Sequence, residues 1–249
     1  MATGHQQGKS SGPWGKTSQR LPGRTPRRGT VVLAVAAALA ASPAAHPGPQ
    51  GGQVVAGSAT ITQTAPNRLD VVQSSGKAIV DWRSFSIGAG EQTHFQQPTS
   101  ASVALNRVKG GDPSRILGQL TANGQVMLVN PNGVFLGPGS RVDVGALMAS
   151  TADIANDDFL AGRYRFTTPS PNPDAGIVHQ GEIRAADGGF VVLAAPYVRN
   201  EGRIQARLGQ VVLAGAPTFT VDFDGDGLLQ FDIGGPVQAA PRGEDGRVV

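Results

Sequence analysis

The chain has no cysteine among its 249 residues. Disulfide staples and cysteine-ligated zinc are thereby excluded, so stability rests on a packed core or on stacked repeats. Charged residues make up 16% and aromatic residues 5%, against about 25% charged in an ordinary globular domain. That scarcity argues against a helical bundle built on Ala, Glu, Lys, Leu and Arg. A charge-extended disordered chain is excluded too, because 39% of the residues are hydrophobic. No acidic residue precedes Asp70, and the apolar run Val31–Ala41, at 11 residues, is too short to cross a bilayer, which takes about 20. What the chain has in excess is glycine, 35 residues, roughly twice the usual share. With abundant Val, Ile and Thr, this composition predicts an all-β fold of short strands and tight turns.

The missing acids divide the chain. Lys9, Lys16, Arg20, Arg24, Arg27 and Arg28 precede the apolar run, and Ser42, Pro43, Ala44 and Ala45 follow it. A basic region, a short apolar region and small residues are the order of an export signal, which predicts a leader over 1–45 taken by the Sec machinery. The surroundings of Arg27-Arg28 give the twin-arginine route little support. Beyond the leader we expect a flexible linker over 46–56, a main domain over 57–233 and a polar tail or continuation over 234–249. The residues after the leader hold 15 basic against 18 acidic side chains, which speaks against a nucleic-acid partner.

Repeats set the architecture. Gln180-Gly181-Glu182-Ile183-Arg184-Ala185 resembles Glu201-Gly202-Arg203-Ile204-Gln205-Ala206, and Gly189–Pro196 resembles Gly209–Pro217, at offsets of 21 and 20 residues. Gly124–Val129 is an earlier cousin. A unit this short cannot bury its own apolar face and must stack on its neighbours, as in a parallel β-helix. A β-sandwich is the competing architecture. Apolar residues two apart (Val103 and Leu105, Val142 and Val144, Ile183 and Ala185, Ile204 and Ala206) are expected to line the interior. Asp112, Pro113, Ile116, Leu117 and Leu120 predict one short helix, Asp153–Leu160 a second turn or two, and residues 163–176 a proline-rich loop. At about 20 residues per coil, the body has length for roughly eight or nine coils.

Candidate chemistry is sparse. His94 and His179 are isolated, and no metal-ligand spacing surrounds them. Ser74-Ser75-Gly76-Lys77 satisfies S-x-x-K without companion motifs. Arg184, Arg203 and Arg207 suit a groove, but no matching ladder of acids accompanies them, so an enzyme is not expected. Asp222-Phe223-Asp224-Gly225-Asp226-Gly227 opens like a calcium loop, yet its twelfth position is Ile233 where a bidentate Glu is needed. We expect no metal and no cofactor.

One stretch is more specific. Asn123–Val134, with Asn130-Pro131-Asn132-Gly133 at its end, resembles the haemagglutination-activity domain of two-partner secretion exoproteins, the family of filamentous haemagglutinin. The resemblance runs from about Gly57 to Ile233 and includes Thr60–Gln63, Asp81–Gly88, Val103–Val108 with Asn106-Arg107-Val108, Gly111–Gly118, Asp153–Gly162 and the Asp222–Gly227 string. It implies a right-handed, single-stranded parallel β-helix with an N-terminal β cap and short helical insertions. It further implies Sec export and then passage through an outer-membrane transporter with POTRA domains, to the surface or medium of a Gram-negative bacterium. Within that implication Asn130, Pro131, Asn132 and Gly133 are the expected site for transporter recognition or folding, and Asn106, Arg107 and Val108 a secondary motif. The exported protein is expected to be an adhesin or haemagglutinin-like protein with host-cell or other surface receptors. A stand-alone carbohydrate-binding adhesin and a β-helical polysaccharide-active enzyme are the alternatives. The NPNL tetrapeptide of some members is absent, so no role is carried over for it.

The leader reading predicts cleavage after Ala40 or Ala44, so N-terminal sequencing of exported material should begin at Ala41 or Ala45. Material in the medium that begins at Met1 would contradict it.

Overall fold

Period-2 patterning, glycine-marked corners and a repeat near 20 residues leave the chain one economical way to bury itself: winding. In a computed structural model, which describes residues 48–223 and 229–236, it does so. The leader, most of the tail and residues 224–228 of the acidic turn lie outside the described residues.

The wind begins with a cap made of β1 (Gln53–Ala56), β2 (Ala59–Ala65) and β3 (Arg68–Gln73). The coils follow: β4 (Lys77–Trp82) with β5 (Gln92–Gln96); β6 (Val103–Val108), β7 (Ser114–Ile116) and β8 (Gln119–Ala122); β9 (Gln125–Val129), β10 (Val134–Leu136) and β11 (Arg141–Val144). After β12 (Ala146–Ser150) the chain leaves the coil for α1 (Asn156–Leu160) and β13 (Tyr164–Phe166). It returns as β14 (Gly176–His179) and β15 (Glu182–Ala185), then β16 (Phe190–Ala195), β17 (Tyr197–Asn200), β18 (Arg203–Ala206) and β19 (Gln210–Gly215). It ends outside the coil in β20 (Phe219–Phe223) and β21 (Leu229–Ile233).

Three sheets form the walls. The first runs β1-β4-β6-β9-β12-β16-β19, the second β7-β10-β14-β17, and the third β2-β3-β5-β8-β11-β15-β18. Pairing within them is parallel, except that β1 meets β4 and β2 meets β3 antiparallel, which makes the cap. The repeats stack in register, with Ile183 beside Ile204 and Val191 beside Val211. The fold is a parallel β-helix.

The structure corrects several local expectations. The solenoid has about seven turns, fewer than eight or nine, because residues 151–175 and 216–233 leave the wind. Residues 112–120 are two strands and not a helix: Ile116 and Leu120 flank a corner at Leu117-Gly118, so their four-residue spacing is that of a bend. The preceding coil passes so close to Gly118 that a Cβ would lie 2.3 Å from the carbonyl oxygens of Gly88 and Glu91. The expected linker ends in β1, paired with β4, and the expected loop over 163–176 contains β13. The second helical stretch does form, as α1.

Val103 and Leu105 point away from the interior. From β4 to β16 the first sheet is buried on both faces. Its inner face (Val80, Trp82, Ala104, Val126, Leu128, Leu147, Val191) lines the solenoid core. Its outer face (Ile79, Val103, Leu105, Met127, Met148, Val192) carries a second core under α1 and the sheet β13-β20-β21. Two-sided burial explains why Val126–Val129 of β9 and Phe190–Ala195 of β16 read as continuous apolar runs and not as alternations. The outer core centres on Phe219, whose ring stacks on Phe166 at 4.5 Å and on Phe231 at 5.0 Å.

Replacing Phe219 by Ala should lower stability by about 3–5 kcal/mol in denaturant unfolding. A loss below about 1 kcal/mol would mean that the outer layer is not part of the cooperative fold.

Candidate functional site

The corner after β9 is built by Asn130, Pro131, Asn132 and Gly133. A chain leaving a buried strand must satisfy its polar backbone within a few residues, and two Asn side chains serve this need here. The Asn130 carbonyl accepts from Gly133 N (3.0 Å), closing a turn, while its side-chain Oδ1 accepts from Asn132 N (2.9 Å). Pro131 has no N–H to leave unpaired, and Gly133 takes φ +107, a left-handed value that suits glycine.

The same side chains tie the corner to the coil before it. Asn130, 0% exposed, donates through Nδ2 to the Asp112 carbonyl and to Ser114 Oγ, each at 3.0 Å. Asn132 Nδ2 donates to the Gly110 carbonyl at 2.9 Å. Toward the next coils, Asn130 N donates to Ser150 O (3.0 Å), and Ser170 Oγ donates to the Pro131 carbonyl. A Cβ on Gly133 would lie 2.9 Å from Gly176 O. The tetrapeptide therefore joins neighbouring coils through buried, neutral hydrogen bonds.

Asn106, Arg107 and Val108 divide between the two cores as strand alternation requires. Asn106 points inward at 0% exposure; its Oδ1 accepts from Trp82 Nε1 (2.9 Å) and its Nδ2 donates to the carbonyls of Ala104 (3.2 Å) and Met127 (3.3 Å). Val108 also packs inward. Arg107 points outward and fastens the inserted segment. Its Nε donates to Asp153 (2.7 Å), its Nη1 to Asp81 (3.3 Å) and Asn156 (3.0 Å), and its Nη2 to the Ile154 carbonyl (2.7 Å).

Lys77 is a second fastener, one that the sequence did not mark. Its ammonium donates to the carbonyls of Phe159 (3.1 Å) and Leu160 (2.9 Å), at the C-terminal end of α1 where a cation is favoured. It also lies 5.8 Å from the Phe159 ring centre and 5.9 Å from that of Tyr164. The lysine of the S-x-x-K string is thus engaged in structure. That Asp81, Asp153 and Asn156 meet at Arg107 was not legible in the sequence, since only the fold brings β4, β6 and the inserted segment together.

The remaining candidates stay apart. His94 Nδ1 meets Thr121 Oγ1 at 2.8 Å on the outer side of the third sheet. His179 is enclosed in the interior, its Nδ1 2.7 Å from Asn200 Oδ1, and burial pushes its imidazole below the ordinary range. Arg184 pairs with Glu182 at 2.8 Å and Arg207 with Asp187 at 2.9 Å. The hydrogen bond from Arg184, joined by Arg141, holds the Glu182 carboxyl below its usual range. Among the described residues no three His, Cys, Asp or Glu side chains gather to hold a metal. The arrangement is one of fasteners.

Comparison with known proteins agrees in scale. Residues 45–244 match the profile of the TPS secretion domain. A heme/hemopexin-binding protein of Haemophilus influenzae (strain ATCC 51907 / DSM 11121 / KW20 / Rd) is 38% identical over 179 residues, covering 69% of this chain and 19% of that protein. A second heme/hemopexin-binding protein of Haemophilus influenzae is 43% identical over 119 residues, covering 48% and 13%. The chain thus spans less than a fifth of the length of these curated relatives. The crystal structure of the HMW1 secretion domain from Haemophilus influenzae superposes with a TM-score of 0.69 at 33% identity, covering 77% of this chain and 50% of that one.

Truncating Arg107 to Ala removes the buried guanidinium from Asp153, Asn156 and the Ile154 carbonyl and leaves Asp81 with Lys109 alone, at 4.0 Å. The expected cost is about 3 kcal/mol, with new protease cleavage inside residues 153–175 ahead of the coils. Unchanged stability and unchanged cleavage would show that the inserted segment is held by its aromatic contacts alone.

Proposed function

The chain belongs to the TPS secretion domain family, and on that premise we propose that it directs a two-partner secretion exoprotein through an outer-membrane transporter and seeds the protein's folding outside the cell. The match over residues 45–244 carries this reading. The route begins with Sec export into the periplasm of a Gram-negative bacterium. There the unfolded chain meets the transporter's POTRA domains, where an exposed strand adds to a sheet edge by backbone pairing.

Folding supplies the direction of travel. Each coil that winds outside places aliphatic side chains such as Val126, Leu128, Val142 and Val144 in the core, at about 1.5–3 kcal/mol gross per side chain. That gain opposes the entropy of ordering the coil and any slide back through the pore. Because every coil needs the edge of the one before, the capped N-terminal end is the natural seed.

Asn130, Pro131, Asn132 and Gly133 act in this scheme as a folding corner. Their side chains are free to be read by the transporter while the chain is unfolded, and they join neighbouring coils once it folds. Asn106, Arg107 and Val108 secure the two cores. The exported protein is a surface or secreted binding protein of the adhesin kind, with its receptor-binding activity outside this domain. The heme/hemopexin-binding names of the curated relatives support a binding role for it over an enzymatic one.

Asn132→Ala removes the bond to the Gly110 carbonyl, and secretion and thermal unfolding should both fall, the latter by about 1 kcal/mol. Normal unfolding with lost secretion would move the role from folding to direct recognition. Unchanged secretion with unchanged unfolding would remove the corner from the mechanism.

A further inference from the structure

The second sheet carries an interior column that changes character along the solenoid. Ile116, Leu136, His179 and Asn200 stand beside one another on β7, β10, β14 and β17. Two aliphatic residues are followed by a fully enclosed imidazole, and the imidazole is covered by the last coil of that wall. Asn200 Oδ1 accepts from Gly202 N at 3.2 Å, so the proton of the short contact to His179 sits on Nδ1. Nε2 is left as a buried lone pair with no hydrogen-bond partner. Room for the ring depends on Gly202, where a Cβ would lie 2.6 Å from His179 Cε1.

We propose that His179 is an acid-sensitive release for the last coil, and that protonation of its ring detaches β17 and β18 from β14 and β15. A second proton would put a charge into an enclosed space, where beside Asn200 only the Gly181 backbone eases it. Among the described residues no charged partner acts on the ring. From β10 comes Leu136, from β14 Ile177, from β17 Asn200, and from the starts of β15 and β18 Gly181 and Gly202. The charged groups of these elements lie on the outer surface: Arg199 pairs with Glu201, Glu182 with Arg141 and Arg184, and Arg203 is exposed. Asn200 is itself exposed, so wetting the ring requires only the end coil to lift.

The sign follows from linkage. Burial lowers the imidazole below its ordinary 6.5, outweighing Asn200 and Gly181, which act the other way. Above about pH 6.5 the closed and open coils both hold a neutral ring, and the contact is fully stable. As pH falls below that value the open coil takes up the proton first, and the closed state loses ground. The carboxylates of Glu182 and Glu201 are held low by their partners and titrate in a more acidic window.

The test is amide hydrogen exchange on the full chain from about pH 7.5 to 5, corrected for intrinsic exchange rates. Residues 176–179 and 197–206 should lose protection about tenfold or more, while β6 and β9 keep theirs. His179→Leu should abolish the loss. Asn200→Asp, which sets a carboxylate against the charged ring, should shrink the loss and decides the matter should His179→Leu fail to fold. The same loss in His179→Leu, an undiminished or larger loss in Asn200→Asp, or a loss spread evenly over all coils would overturn the proposal.

Discussion

In-register parallel pairing is the constraint from which the rest of this molecule follows. Once each strand lies beside its counterpart one coil earlier, every side chain inherits a fixed set of neighbours above and below. Apolar columns then extend without further specification. A polar residue in a column must find its partners there or on the adjacent backbone, as Asn106 does with Trp82 and Met127. Gln97 does the same at another corner, donating to Gln73 Oε1 and to the carbonyls of Ser102 and Gln125. The interior is specified by these few polar stitches more than by the aliphatic fill.

A second layer depends on the first. Because the outer face of the first sheet is apolar, it needs covering, and the chain covers it with two segments far apart in sequence. β13 departs from the middle of the wind and β20 from its end, and they pair antiparallel. Arg107 and Lys77 fasten the earlier segment to the wall of the wind.

The readable part of this fold was what recurs. Offsets of 20 and 21 residues became in-register neighbours, and Asn-Gly and Gly-Pro-Gly strings became corners. Sequence reasoning failed where a solenoid imitates another structure. Ile116 and Leu120 carried a helical spacing produced by the bend at Gly118. Val103 and Leu105 alternated as interior residues do, yet the interior positions were Ala104, Asn106 and Val108. No local signal separates the two faces of a strand buried on both. What the side chains of Asn130 and Arg107 hold was not legible, since they meet residues 16 to 49 positions away. Lys77 stood out only as the lysine of a chance S-x-x-K string, which gave no sign of its contact with α1.

The central claim is that this segment suffices to commit a chain to the outer-membrane transporter. The direct measurement fuses residues 1–236 to a slowly folding, cysteine-free reporter in Gram-negative cells, with and without the cognate transporter. The reporter should reach the medium only when segment and transporter are both present. Its retention in the periplasm, in cells whose transporter still exports its own exoprotein, would contradict the account.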